Sequence, residues 1–251
     1  MTNSAELRAD LMWPAPWPAS SRDDTEMFVK ARLQALNLIQ WLARIANSYV
    51  NGGRPDDRIA INFRADGAFV TKTFDRDISL EMRLPTLEMQ FLEHARPVPH
   101  ILDPEEHSPA EVEAWILVEL LHRGMDRDKF SKTLPYTIAN LMSGDAEDYS
   151  PKACAPGLSR LSEWFRVAAS VLSNSSKVIC LPQTLMLVLA PDNSMATAGF
   201  SPGDAEHPEP YFFAQKGTKR CLLTASELAN ETDPAAVAAQ FVKGGSDVRR
   251  A

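Results

Sequence analysis

Residues 58–92 read RIAINFRADGAFVTKTFDRDISLEMRLPTLEMQFL, and this stretch decides the fold. Apolar and polar residues alternate over Arg58–Arg64, over Ala68–Phe74, over Ile78–Leu84 and over Leu87–Leu92. A period of two sends successive side chains to opposite faces of a strand. Asp66-Gly67 separates the first two runs, and an Asp-Gly pair suits the backbone of a tight hairpin turn. Pro85 parts the third run from the fourth, because proline cannot donate to a ladder. Four antiparallel strands are predicted, forming a meander with one apolar face and one wet face.

Helices flank this meander. Asp23-Asp24-Thr25-Glu26 offers capping types and acids suited to the positive end of a helix dipole. Phe28, Leu33, Leu36, Ile39, Leu42, Ile45 and Ala46 then recur at helical spacing until Asn51-Gly52-Gly53 and Pro55 end the run. After the strands, residues 94–108 are rich in proline, histidine and acids and read as a loop. Ser108-Pro109-Ala110-Glu111 opens a second helix that passes through Trp115, Leu117, Val118 and Leu121 and stops near Gly124. Residues 125–156, with Pro135, Gly144, Pro151 and Pro156, form an irregular connector.

From 157 the order begins again. A helix over Leu158–Leu172 places Leu161, Trp164, Phe165, Ala168 and Val171 on one face. Four strand-like stretches follow: Val178–Leu181 running on into Leu185–Ala190, Met195–Phe200, Tyr211–Gln215 and Arg220–Thr224. A last helix starts after Asp233-Pro234 and ends before Gly244-Gly245. The expected fold class is α+β, with antiparallel sheets flanked by helices. It is organised as two degenerate α-β4-α halves, 23–124 and 157–244, whose sheets pack together or join edge to edge. The rival is one α+β domain with no internal repeat. Pro14, Pro16 and Pro18 make 1–22 an extended segment, with Trp13 and Trp17 expected to pack on the body, and 245–251 is expected to be a disordered tail. All of it fits one compact unit.

Composition narrows the function. The net charge is -7 and no Lys/Arg run exceeds two, as at Lys219-Arg220 and Arg249-Arg250, so a nucleic-acid partner is not expected. The three cysteines, Cys154, Cys180 and Cys221, include no C-x-x-C pair; they read as free thiols in a reducing compartment. Met1–Asp10 lacks the apolar stretch of a signal peptide. Val178–Ala190, interrupted by Pro182, is too short to span a bilayer. A cytoplasmic location and no membrane partner are expected. A small-molecule ligand and a homodimer both stay open as partners.

Two segments could carry chemistry. His94, His100, Asp103, Glu105, Glu106 and His107 bring three of the five histidines beside acids, a donor set that suits zinc, iron or manganese. The gaps of six and seven between these histidines, crossed by Pro97, Pro99 and Pro104, match neither a helix turn nor alternate strand positions. They are expected to form a solvated loop, with no metal and no cofactor. The second segment runs from Gly199 to Phe213, with Phe200, Pro202, Gly203 and Tyr211 as candidate ligand-binding residues in the wall of a pocket. His207 and Glu209, with Arg96 or His100, are the candidates for proton transfer if they share a cleft. The alternative is an Ω-like loop that covers one end of the sheet. There is no G-x-S-x-G, S-x-x-K or G-x-G-x-x-G; Gly52-Gly53 ends a helix, and Asp75 and Asp77 straddle a turn.

The chain resembles an uncharacterised bacterial family, a domain of unknown function. The likeness runs through Trp13-Pro14 or Trp17-Pro18, the helix around Trp41, the strand at Asp77–Arg83, the Trp164-Phe165 helix, Gly199–Gly203 with Pro208-Glu209-Pro210-Tyr211-Phe212, and Leu222–Leu228 leading to Asp233-Pro234. Similar proteins carry a His-Glu pair before the Gly-Phe, where this chain has Asn193 and Ser194, and a His and an Asp near positions occupied here by the apolar neighbourhoods of Ile179 and Met186. The resemblance implies no known reaction and a site largely missing from this chain. The expected function is therefore a small-molecule-binding or protein-interaction module without catalytic chemistry. The alternatives are an enzyme of unrecognised class built around 199–213, and a structural homodimer joined through an unpaired sheet edge.

Overall fold

A computed structural model describes residues 22–173, 177–189 and 196–244. The expected extended segment up to residue 21, with Trp13 and Trp17, lies outside the described residues, as do the expected tail over 245–251 and Asn193-Ser194. Ten strands form one antiparallel sheet: β1 (Ile61–Phe63), β2 (Ala68–Val70), β3 (Ile78–Arg83), β4 (Met89–Glu93), β5 (Arg96–Leu102), β6 (Val178–Leu181), β7 (Met186–Leu189), β8 (Ala196–Ser201), β9 (Tyr211–Lys216) and β10 (Lys219–Thr224). The order across the sheet is β10-β9-β8-β7-β6-β1-β2-β3-β4-β5. Each half is a meander running outward, and the two first strands meet in the middle, Ile61 opposite Cys180 and Asn62 opposite Ile179. Of the two expected arrangements, the sheets join edge to edge. The helices are α1 (Arg22–Tyr49), α2 (Pro55–Ile59), α3 (Pro109–His122), α4 (Ala155–Ser173), α5 (Ala225–Leu228) and α6 (Pro234–Gly244).

The α+β architecture with an antiparallel sheet and flanking helices agrees with the patterning, but each half has five strands instead of four. Residues 96–102, expected as loop, are the edge strand β5. Pro97 and Pro99 are tolerated there because one side of an edge strand needs no ladder donor, and they blunt that edge against further pairing. Register shifts between Gln90 and Leu92, and the Gln90 side-chain amide donates to the Val98 carbonyl. In the second half, 178–190 does not run on as one strand. Leu181 pairs with Met186 around a turn at Pro182–Leu185, where Leu185 has φ +57°, so the segment is the β6–β7 hairpin. The hairpin at Asp66-Gly67 forms as expected, with Gly67 at φ +90°.

One parity of the strands, Phe69, Leu80, Met82, Phe91, Leu187, Phe200 and Phe212 among them, joins the helices in a continuous core. On α4, Phe165 touches the rings of Phe63, Phe69 and Phe200, and so spans β1, β2 and β8. The helices α1 and α4 approach closely at Gly157, where a Cβ would lie 2.4 Å from the Met27 carbonyl oxygen. The opposite parity, expected to be wet, is largely covered. Ala68, Val70 and Leu92 form one buried cluster there, and Val188, Tyr211 and Phe213 another. Glu81 on β3 points to this face and is fully buried between Arg83 Nε (2.6 Å) and Arg64 Nη1 (3.1 Å). Two guanidinium groups stand where water would otherwise solvate its carboxylate.

Between α3 and α4 the chain forms only two 3-10 turns, Arg127–Lys129 and Lys152–Cys154, and it lies along α1 like a belt; α4 begins at Ala155, inside the expected connector. A segment with so little secondary structure must find other partners for its backbone groups, and polar side chains of α1 supply some of them. Asn37 Oδ1 accepts from Met142 N (2.8 Å), Ser48 Oγ from Ser131 N (2.9 Å), and Gln34 Oε1 from Ser150 N (3.2 Å). Asn47 Nδ2 donates to Thr133 O (3.1 Å), Tyr136 donates to Gln40 Oε1 (2.8 Å), and Trp41 Nε1 donates to Tyr149 Oη (3.0 Å). Asn37 and Gln40 are buried on a helix whose apolar stripe already faces the core, Asn37 under the belt and Gln40 between Tyr136 and the Pro182 carbonyl, while Arg44 lies over the Trp41 ring.

Candidate functional site

The loop between β8 and β9 is built around one carboxylate and fastened to α1 and α5. Asp204 organises it: its Oδ1 accepts from the amides of Glu206 (2.9 Å) and His207 (2.7 Å), and its Oδ2 accepts from the Tyr211 hydroxyl (2.6 Å). Burial would raise the Asp204 pKa, but the Tyr211 hydroxyl and these amides outweigh it and hold the carboxyl below its ordinary value. Burial and the neighbouring Asp204 push the Tyr211 phenol up. Arg32 reaches across from α1 to the carbonyls of Pro202 and Pro208, both at 3.4 Å. Gly203 has φ +100°, and a Cβ there would lie 2.5 Å from Arg32 Nη1 and 2.6 Å from the Pro208 oxygen. Gly203→Val should therefore cost about 2–3 kcal/mol, from the disfavoured φ and displacement of the Arg32 clamp. Denaturant unfolding measures it; an unchanged midpoint would mean that the loop is not clamped.

Each candidate from this segment has partners within the fold. Phe200 faces the helices, stacked on Trp164 at 5.9 Å and packed against Phe165 and Phe212. Tyr211 is buried beside His207 and beneath Arg220. Pro202 is buried and uses its carbonyl on Arg32. Glu209 accepts from the Ser226 amide (2.8 Å) and hydroxyl (2.5 Å), tying the loop to the start of α5. His207 lies 3.7 Å from Asp204 Oδ1. Arg96 is exposed at the β4–β5 turn, opposite Glu93. Thus His207 stays beside Asp204 and Glu209 reaches to α5, while Arg96 and His100 lie at the far edge of the sheet on β5.

The histidine segment divides too. His107 bonds the Glu105 carbonyl (2.9 Å), Asp103 pairs with Lys152 (3.3 Å), and His94 lies 3.6 Å from Asp77. His100 does something else. From β5 its Nδ1 meets Glu119 Oε1 at 3.1 Å, and His122 Nδ1 lies 3.6 Å from the same oxygen. Glu119 and His122 are on α3, one turn apart, so both face β5. The Ser108 capping box and the Gly124 terminus, φ +64°, frame this helix. Glu119 is 3% exposed, and its second oxygen is taken by Arg123 Nη1 at 2.8 Å. Arg123 lies over the Phe91 ring and pairs with Glu93 at 3.2 Å. These groups, with Val98 and Pro99, line a surface depression of about 380 Å³. Glu119 and His122 went unnoticed in the sequence although Glu-x-x-His within a helical run was there to find.

The same helix carries a second feature. Ala114, Val118 (47% exposed) and Leu121 (53% exposed) form an apolar stripe on its outer side, with Ala110 and Leu117 half-buried alongside. The inner side is Val112, Ile116, Glu119 and Leu120, all buried. A surface helix ordinarily has a polar outer face; α3 is apolar on both. Burial raises the Cys154 and Cys180 thiols, and all three cysteines are free. No described helix is long and apolar enough to cross a membrane. No family model, no curated protein and no solved structure matches this chain.

Proposed function

We propose that this chain is a protein-interaction module without catalytic chemistry, that the outer face of α3 is its docking surface, and that a second copy of the chain occupies it. The exposed stripe of Ala114, Val118 and Leu121 carries this reading, because apolar side chains arranged on an exposed face are those that gain from burial against a partner. The helix is also self-complementary. Glu111 near its start and His122 at its end stand on the same side of the stripe. An antiparallel two-fold pairing brings Glu111 of each copy beside His122 of the other, with Leu117 and Val118 at the centre; such pairing is isologous and closes as a dimer. One helix face is small beside a standard interface, so a weak dimer follows. The loop at 199–213, whose Asp204 and Glu209 are held by neighbouring amides and hydroxyls, supports the absence of catalytic chemistry, and so does the resemblance, through Asn193 and Ser194. The matching order of elements in the two halves supports an origin by duplication.

Light scattering over a concentration series tests the pairing. Wild type should pass from monomer to dimer, and Val118→Asp with Leu121→Asp should remain monomeric with an unchanged unfolding midpoint, since both side chains are already half exposed. A wild type that stays monomeric at the highest workable concentration, or a double variant that dimerises equally well, would overturn this assignment.

A further inference from the structure

We infer that His100, Glu119 and His122 form a binding site for one divalent late first-row metal ion of the zinc class. The potential donor atoms of the three residues lie within 4.8 Å of one another. Two of the separations, 3.1 and 3.6 Å from Glu119 Oε1 to the imidazole nitrogens, bracket the donor spacing of about 3.4 Å that a tetrahedral ion with arms of about 2.0–2.1 Å requires. Strand β5 and helix α3 hold the ligands around one point, and the widest donor separation closes from at most 4.8 Å to seat the ion.

The surroundings favour a dication. Two imidazoles and a carboxylate suit zinc and its neighbours, where an all-oxygen set would suit calcium or magnesium. Arg123 anchors Glu119 Oε2 and leaves Oε1 to face the histidines, the kind of outer partner that fixes a ligand's orientation. Its positive charge would oppose a metal if it stood alone, but Glu93 offsets it. With neutral imidazoles, Glu119 and Glu93 against Arg123 leave one net negative charge at the site. The carboxylate is buried while the imidazoles are 62% and 56% exposed. The ion therefore enters from solvent and keeps its outer coordination positions for water or a further ligand. The site shares His122 with the proposed pairing of α3, while Val118 and Leu121 of the stripe supply none of its ligands.

Cobalt(II) titration of the full chain at neutral pH tests the site, with the visible d–d bands reporting geometry and zinc added afterwards as competitor. Wild type should take up one equivalent with the strong bands of a near-tetrahedral site, and zinc should displace it. His100→Ala and His122→Ala should each weaken binding by about a hundredfold or more, while His107→Ala, whose imidazole is bonded within its own loop, should bind as wild type does. The two variants alter exposed side chains, so circular dichroism should show them folded. Repeating the titration in the Val118→Asp/Leu121→Asp background keeps failure of the metal site distinct from failure of the dimer. Absence of saturable cobalt uptake by wild type would overturn the proposal, as would undiminished uptake by a His100→Ala/His122→Ala double variant.

Discussion

Phe165→Ala should lower stability by about 3–5 kcal/mol, the range for deleting a fully buried phenyl ring and leaving part of its volume empty. In a domain of this size that is a fall in Tm of about 6–20 °C. The ring is completely buried and touches Phe63 on β1, Phe69 on β2 and Phe200 on β8. Its loss therefore weakens both halves together, and the thermal transition should move as a single step. Leu33→Ala, on the exposed side of α1, serves as the control and should shift the midpoint by less than about 0.5 kcal/mol. Two separate transitions in Phe165→Ala would contradict a core shared between the halves, and a loss below about 1 kcal/mol would contradict the packing around the ring.

The second large effect is a question of sign. Gly157 lies in the first turn of α4, and on helix propensity alone Gly157→Ala should stabilise by about 0.8–1.0 kcal/mol. The added Cβ, however, would sit 2.4 Å from the Met27 carbonyl oxygen, 2.8 Å from its carbon and 2.9 Å from Ala31 Cβ. Two of these are backbone atoms of α1, so a rotamer change cannot relieve the clash. The helices must separate, and overpacking of this kind costs about 1–3 kcal/mol or more. The clash should win: Gly157→Ala is expected to be less stable than wild type, and Gly157→Val less stable again by at least about 2 kcal/mol. Urea unfolding of the three proteins decides it. If Gly157→Ala proves the more stable, the helices do not approach as closely as this.

Most of the fold was legible because its elements are strongly periodic. The alternation at Ile78–Leu84, the Asp66-Gly67 turn and the capping residues at Ser108 each specify structure within a few residues of themselves. What was missed depends on neighbours remote in sequence. Pro97 and Pro99 argue against a strand anywhere but at an edge, and the sequence does not say which strand will be outermost. Glu81 looked like a residue of a wet face because its cover comes from Arg64 and Arg83, which alternation does not reveal. Pro182 marked a break without marking a reversal. The candidate site was half visible. His100 stood out by its type, but its partners Glu119 and His122 were hidden inside a helix whose apolar residues drew attention first. Trp115, Leu117, Val118 and Leu121 are all named easily from spacing, yet the buried side is Val112, Ile116 and Leu120; with apolar residues on both sides, periodicity could not tell which one faces the core.

The belt over α1 has a consequence for what keeps the molecule whole. The peptide chain passes from one half to the other only through residues 125–156, while α1 packs on α4 and β1 pairs with β6 directly. Cohesion and covalent continuity thus follow different routes. A scission between Tyr136 and Tyr149 would cut the only backbone path joining the halves and still leave their shared packing in place, so two fragments would travel as one particle. In this protein the crossing segment is upholstery fastened to a frame that is already joined.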